Sequence, residues 1–204
     1  IKKQMRLESD PTVIYGINNI GKTTQARALV QHLLNKGLKA DYVKYPIYDI
    51  KPSGPYLDGV LRSGKQEISE QELQLWFTFN RFQFQPILKK KLEHGINIVT
   101  EDYVGTGLAW GSAKGADYNW LKAINSSLMS ADIGILLDGE RFTFAQESRH
   151  IHEVNVKLME KVRKRFIDIG REFNWHIVNA NQGKDKVFND ILQLLREHRI
   201  IDFV

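Results

Sequence analysis

The chain has no cysteine, little proline and no long apolar run. None of its 204 residues is cysteine, which excludes disulfide bonds, thiolate metal sites and a thiol nucleophile within this chain. The absence of cysteine fits a reducing compartment, and we expect a cytoplasmic protein. Five prolines leave no room for a proline-rich tract. No stretch approaches the roughly 18 apolar residues of a membrane-spanning helix, so we expect no membrane association.

Neither sign of charge is in large excess. The chain carries 29 lysines and arginines against 24 aspartates and glutamates, which gives a net charge of +5. Its dense basic stretches, Lys89–Lys91 and Lys161–Arg165, lie within helical patterns and indicate solvated helix faces. We therefore expect no nucleic-acid partner. A modest positive field does suit a site that collects several phosphate groups.

Five short apolar runs, separated by helical patterns, predict the fold. The runs are typical of buried parallel strands and comprise Thr12–Ile17, Asp41–Tyr45, Asn97–Glu101, Ile133–Asp138 and His176–Ala180. One intervening helix should end at Gly37. A longer one should begin at the capping sequence Ser69–Glu72 and break or kink at Pro86. This alternation predicts one α/β domain over residues 1–204, a five-stranded parallel sheet with helices on both faces. The ligand should lie beyond the carboxyl ends of the strands.

A phosphate-binding loop follows the first predicted strand. Residues 16–23 fit the pattern G-x-x-x-x-G-K-[ST], with an apolar strand before it and an amphipathic helix after it. The glycines let backbone amides turn towards phosphate oxygens, and the lysine places a positive charge at the β- and γ-phosphates. The alternative is a glycine-rich turn without a ligand. We predict nucleotide binding by Gly16, Asn18, Asn19, Ile20, Gly21, Lys22, Thr23 and Thr24.

Further segments extend this pattern along the chain. Val43–Pro46 ends the second predicted strand, Leu75–Arg81 lies in the long helix, Glu101–Gly111 follows the third strand, and Val178–Ala180 follows the last. Taken in order with the phosphate loop, these segments resemble thymidylate kinases. The resemblance implies the three-layer P-loop NTPase fold and a role in nucleotide biosynthesis. It also implies a nucleoside monophosphate kinase that uses ATP and Mg²⁺ to convert dTMP to dTDP.

The same resemblance implies which residues bind the acceptor nucleotide. Phe77 is expected to stack on the base, and Arg81 to hydrogen-bond the base or reach its phosphate. Lys44 stands where the family has an arginine for the acceptor phosphate. Tyr103 and Gly107, in what we expect to be a turn at residues 105–107, would line the nucleoside. The alternatives are core packing for Phe77 and a surface ion pair for Arg81.

The chain departs from the family pattern at three positions. Asn18 and Lys44 replace the family's acid and arginine, and Asp102 replaces an arginine in the motif after the third strand. A carboxylate repels phosphate unless a cation intervenes. We therefore predict that at least one of Glu101 and Asp102 holds Mg²⁺, together with the Thr23 hydroxyl. The alternative is that one of the two carboxylates only caps the following turn.

A lid is expected at residues 140–153. Because the phosphate loop has Asn19 where some family members have a basic residue, the cation that closes on the transferred phosphate must come from this lid. We favour Arg149, then Arg141, as catalytic residues beside Lys22.

The sequence is also compatible with other functions. A GTP-binding switch is one alternative, because residues 102–105 read D-x-x-G, but the chain lacks the Asn-Lys-x-Asp that reads guanine. A nucleotide-binding module without catalysis and a kinase with another acceptor are further alternatives. For the kinase we expect in-line transfer without a general base, since the acceptor phosphate is already ionised. Both a monomer and a homodimer fit the sequence.

Overall fold

The computed structural model describes residues 10–131, 133–140 and 156–198. Strands and helices alternate over these ranges as the sequence predicts. In chain order they are β1 (Thr12–Tyr15), α1 (Lys22–Asn35), β2 (Ala40–Lys44), α2 (Ser53–Arg62), α3 (Glu70–Glu93), β3 (Asn97–Glu101), α4 (Val104–Ala113), α5 (Tyr118–Asn125), β4 (Ile133–Asp138), α6 (Val156–Glu172), β5 (His176–Asn179) and α7 (Lys184–Glu197).

The strands form one parallel sheet in the order β2-β3-β1-β4-β5. The predicted α/β architecture is confirmed, and β3 and β4 have the predicted bounds. In the central register, Ile14 of β1 pairs with Glu101 of β3, and Lys44 of β2 pairs with the same glutamate. Consequently the segments after β1, β2 and β3 emerge at one edge of the sheet, where a ligand is expected.

Two groups of helices cover the sheet. α1 packs on β2 and β3 and against α7, whereas α4 packs against α3, α5 and α6. The central strand β1 is fully enclosed, with Val13 and Ile14 at 0% exposure. Burial of this continuous apolar surface holds the strand ends in place. None of the helices within the described ranges is long and apolar enough to cross a membrane.

The helix α3 differs from the prediction at Pro86. Its start is as predicted, because the Ser69 side chain accepts a hydrogen bond from the backbone N–H of Glu72 at 3.1 Å. Of the predicted break or kink, the break is wrong, since α3 continues through Pro86 to Glu93, and a kink there stays a prediction. Proline removes one backbone donor. Beyond it, Leu88 and Leu92 remain buried in the core, and this burial favours continuing the helix.

The expected turn at residues 105–107 is instead the first part of α4. Both glycines serve close packing. A Cβ on Gly105 would lie 2.2 Å from Cη2 of Trp175, and a Cβ on Gly107 would lie 2.9 Å from Nη2 of Arg81. Small residues in sequence therefore indicated close approach of a helix rather than a turn. The sequence pattern also did not predict α2 or α5, although Asp117, which caps α5 through the N–H of Trp120, was a readable signal.

Candidate active site

A cleft opens at the carboxyl edge of the sheet. It runs from the phosphate loop to the face of α3. Its walls include one group from the loop and the strand ends (Asn18, Asn19, Gly21, Lys22, Thr23, Thr24, Lys44, Glu101, Asp102) and one from α3 and α4 (Glu70, Gln74, Phe77, Asn80, Arg81, Thr106, Gly107, Trp110). Residues far apart in sequence thus meet in one cavity.

The phosphate loop has a backbone that favours glycine at its two ends. Gly16 has φ 145° and Gly21 has φ 98°. A Cβ on Gly16 would lie 2.7 Å from the Leu137 carbonyl oxygen, so a larger residue has no room there. Asn19 also has a positive φ of 59°, which asparagine tolerates better than most residues. α1 begins directly after the loop, so its amide-rich end faces the cleft.

Lys22 reaches back across the loop. Its side-chain nitrogen donates hydrogen bonds to the carbonyl oxygens of Gly16 at 2.9 Å and Ile17 at 3.0 Å. The same nitrogen lies 3.8 Å from a carboxylate oxygen of Asp102. Only 5% of the residue is exposed. The positive charge is therefore held inside the loop, within the cavity that a triphosphate would enter.

Glu101 is the centre of a polar network at the strand ends. Its Oε2 accepts hydrogen bonds from the hydroxyls of Thr23 at 2.7 Å and Tyr42 at 2.6 Å. Its Oε1 lies 3.2 Å from the Lys44 side-chain nitrogen. The network joins α1, β2 and β3, because each contributes a group at the edge of the sheet. Tyr42 was not identified from the sequence, where it is one aromatic residue in a strand.

The pKa values of the two neighbouring carboxylates are shifted in opposite directions. Burial favours a higher pKa for Glu101, but Lys22, Lys44 and the two hydroxyl donors outweigh it, so its pKa is lowered. Burial raises the pKa of Asp102 and the charge of Glu101 adds to this effect, while Lys22 and Lys44 oppose it without outweighing it. Asp102 has φ 64° and accepts a hydrogen bond from the Thr106 hydroxyl at 2.9 Å. Glu101 is therefore the carboxylate best suited to carry a negative charge here.

This donor set suits a hard divalent cation. The Thr23 hydroxyl and the Glu101 carboxylate are adjacent oxygen groups that could bind such a cation, with Asp102 next in sequence. Within the described ranges no group of three or more His, Cys, Asp or Glu residues forms a dedicated metal cage. Mg²⁺ keeps several waters and binds through one or two protein groups plus substrate phosphates, so few protein ligands are needed.

The other half of the cleft presents an aromatic face and a buried cation. Phe77 is half-buried on the cleft wall. Arg81 is 4% exposed, and its Nη1 donates to the Asn125 side chain on α5 at 3.1 Å. Burial lowers the pKa of Arg81, and the neighbouring tyrosines oppose this effect. The surface ion pair considered for Arg81 is therefore wrong.

Asn80 ties α3 to the segment after β2. Its side chain accepts from the backbone N–H of Ile47 and donates to the Ile47 carbonyl, both at 2.8 Å, and donates to the Ser53 hydroxyl at 2.9 Å. Asn80 is fully buried. It fixes the segment that leads from Lys44 along the cleft.

The structure brings together most, but not all, of the residues singled out in the sequence. Gly16 and Ile20 shape the loop behind the cleft wall. Tyr103 does not line this cleft. Its ring lies 5.2 Å from that of Tyr45, and its side chain lines a second cavity beside Trp175. Arg141, Arg149 and most of the expected lid lie outside the described residues.

A comparison with protein families decides the assignment. Residues 14–191 match the family model described as thymidylate kinase. The chain belongs to the thymidylate kinase family. The match spans both halves of the cleft, from the phosphate loop to α7. It makes the chain a nucleoside monophosphate kinase with ATP as co-substrate, and it removes the GTP-switch and non-catalytic alternatives.

Individual relatives agree with this family. The chain is 28% identical over 187 residues to the thymidylate kinase of Danio rerio, covering 89% of this chain and 87% of that protein. It is 27% identical over 184 residues to the thymidylate kinase of Homo sapiens, covering 88% and 86%. The solved thymidylate kinase of Candida albicans superposes with a TM-score of 0.80 at 20% identity, over 95% of this chain and 93% of that one, which shows a shared fold.

Proposed function

We propose that this member of the family transfers the γ-phosphoryl group of ATP to dTMP and so forms dTDP. The observation that carries the proposal is the shared cleft. A phosphate loop occupies one end, and an aromatic face with a buried arginine occupies the other. A donor triphosphate and an acceptor nucleotide would therefore meet between them.

On the donor side, the loop amides and Lys22 bind the triphosphate. Lys22 already points into the loop, so little reorganisation is needed when its carbonyl partners are exchanged for phosphate oxygens. The acceptor phosphate is ionised at neutral pH, so no residue has to remove a proton. The protein contributes positioning and charge neutralisation. Arg149, or else Arg141, supplies a further cation from the lid.

Thr23 and Glu101 are the residues proposed to hold Mg²⁺. Their oxygens are already 2.7 Å apart, and the pKa of Glu101 is lowered, so the carboxylate is available as an anion. When bound, Mg²⁺ would neutralise charge on the β- and γ-phosphates. Asp102 lies at the border of this site, where Thr106 orients it and Lys22 is near.

On the acceptor side, Phe77 stacks on the base and Arg81 hydrogen-bonds its edge. Aromatic stacking contributes about 1–3 kcal/mol per base in other base-binding sites. Lys44 binds the acceptor phosphate from the end of β2. Gly107 gives the nucleoside room beside α4. Tyr103 does not contact the nucleoside directly; it packs against Tyr45, which lines the cleft, and so supports the cleft wall.

An ADP-release screen across nucleoside monophosphates and nucleosides, with ATP and Mg²⁺, tests the proposal. We expect dTMP to give the highest kcat/KM. Lys22→Ala should abolish turnover, because it removes the cation held in the loop. A higher kcat/KM for another acceptor would overturn the choice of dTMP while retaining the kinase. Turnover by Lys22→Ala at the wild-type rate would overturn the role of the phosphate loop.

We also propose a homodimer that forms through α3. Leu75, Phe79 and Phe82 are 49%, 43% and 37% exposed and recur at helical spacing on one face. A continuous apolar stripe on a described surface is typical of a protein interface. A single stripe is self-complementary across a two-fold axis, so a second copy of the chain is the partner that fits.

A further inference from the structure

A glutamine in the acceptor half of the cleft has an unused hydrogen-bond acceptor. Gln74 lies on α3 one turn before Phe77 and lines the cleft with 1% exposure. Its Oε1 is buried and has no hydrogen-bond partner among the described residues. A buried carbonyl without a partner is costly, so natural structures retain one mainly where a ligand or water supplies the donor.

The orientation of the Gln74 amide is fixed by its neighbours. Its Nε2 donates to Glu70 Oε1 at 2.8 Å, and Glu70 forms an ion pair with Lys114 at 2.7 Å. Both partners are largely buried, with side chains 9% and 16% exposed. A flipped amide would place two acceptor oxygens together at Glu70. Oε1 therefore points away from Glu70 as an acceptor and cannot exchange roles with Nε2.

A donor lies beside this acceptor. The point that a Cβ of Gly107 would occupy is 3.0 Å from Gln74 Oε1 and 2.9 Å from Arg81 Nη2. The two polar ends therefore converge on one place beside α4, in the cleft that Phe77 also lines. A base that stacks on Phe77 would present its hydrogen-bonding edge to a donor and an acceptor side by side.

We propose that Gln74 Oε1 reads the base of the acceptor nucleotide by accepting a hydrogen bond from a ring N–H, with Arg81 donating to the adjacent carbonyl. Thymine carries this pair, because its N3–H is flanked by the O4 carbonyl. Cytosine in the same pose presents an N3 acceptor to Oε1, and two acceptors repel. The fixed amide thus excludes cytosine as well as binding thymine, and a site built to bind an N–H rejects the analogue that lacks it.

The inference rests on the proposed function. N3-methyl-dTMP tests the inference by itself, because this analogue differs from dTMP only in carrying a methyl group in place of the N3–H. Equilibrium binding and kcat/KM are measured for dTMP, N3-methyl-dTMP and dCMP with the wild type and with Gln74→Met, which keeps the side chain's length but lacks the acceptor. For the wild type we expect the binding constant and the kcat/KM of dTMP to exceed those of the N3-methyl analogue by at least about tenfold. In Gln74→Met the preference for dTMP over both analogues should largely disappear, with the KM of ATP unchanged.

Gln71→Leu, at an exposed position on the same helix, is the control. It should leave the relative binding and kcat/KM of the three nucleotides as in the wild type.

The outcomes are distinguishable. If Gln74→Met lowers binding of all three nucleotides equally, or leaves their ratios unchanged, Gln74 does not read the base and the inference is wrong, while the kinase assignment stands. If the wild type neither binds nor phosphorylates dTMP, the choice of dTMP fails and the reading of thymine fails with it. Thermal unfolding of each variant shows whether the fold is retained.

Discussion

At the scale of single residues, the site depends on how two adjacent carboxylates differ. Glu101 faces a lysine and two hydroxyl donors, whereas Asp102 is turned by a positive φ towards Thr106. The sequence made both of them candidate Mg²⁺ ligands and did not distinguish between them. The difference comes from neighbours on α1 and β2, which are far away along the chain. It leads to two predictions.

Glu101→Gln should raise the Mg²⁺ concentration needed for half-maximal turnover by about 10-fold to 100-fold, the usual scale for weakening a metal's supporting ligands. The reason is that Glu101 accepts a hydrogen bond from the Thr23 hydroxyl, whereas Asp102 accepts one from Thr106. Mg²⁺ is titrated against ADP release at saturating ATP. Asp102→Asn is the matched comparison and should shift the Mg²⁺ requirement less. A larger shift in Asp102→Asn would make Asp102 the principal metal-side acid.

Asp102→Asn should raise the melting temperature of the nucleotide-free protein at about pH 7–8. Burial raises the pKa of Asp102, so the folded protein binds this proton more tightly than the unfolded chain does. Stability is therefore lost as the pH rises from the ordinary aspartate pKa of about 3.9 through the raised value. Asparagine does not ionise and tolerates the positive φ, so it avoids this loss.

The pH dependence of melting checks this prediction. The difference in melting temperature between Asp102→Asn and the wild type should become smaller as the pH is lowered. Asp49→Asn, at an exposed position, should show no such trend. A variant less stable than the wild type at every pH would contradict the prediction and would indicate that the carboxylate is required as an anion.

At the scale of elements, the acceptor half of the cleft is assembled by helix contacts. α3 supplies Gln74, Phe77 and Arg81, α5 holds Arg81 through Asn125, and α4 lies close because of its glycines. The sequence predicted α3 and its cap but not α5, and it assigned the glycines to a turn. α5 has only eight residues, fewer than the roughly 11–18 over which helical periodicity is read, so its N-cap Asp117 was the clearer sequence signal.

Asn80→Ala should destabilise the fold by about 2–3 kcal/mol, because it leaves the Ile47 N–H and carbonyl and the Ser53 hydroxyl without their buried partner. The loosened segment should also raise the KM of dTMP more than that of ATP. Denaturant unfolding and steady-state kinetics measure the two effects. Asn35→Ala, at the exposed end of α1, should change stability by less than about 0.5 kcal/mol. Equal stability of the two variants would show that the hydrogen bonds of Asn80 to Ile47 and Ser53 do not stabilise the fold.

At the scale of the whole molecule, the proposed homodimer has a direct test. Phe79→Glu places a charge in the centre of the apolar stripe on α3, and burying an unpaired charge is unfavourable. We expect the wild type to have the mass of a dimer by light scattering and the variant to have the mass of a monomer. Leu34→Glu, at an equally exposed position on α1, should remain dimeric. A monomeric wild type would contradict the proposal.

The sequence by itself determined the parallel α/β fold, the phosphate loop and the family. These features depend on short stretches, in which strand periodicity, glycines and a lysine at fixed spacing have the same meaning wherever they occur. The tertiary structure decided which groups meet. Thr23 reaches Glu101 across 78 positions in the sequence, and Gly107 of α4 packs against Gln74 and Arg81 of α3. Such tertiary contacts depend on strand register and helix packing. They join residues that are distant in the sequence, so local sequence patterns carry no information about them.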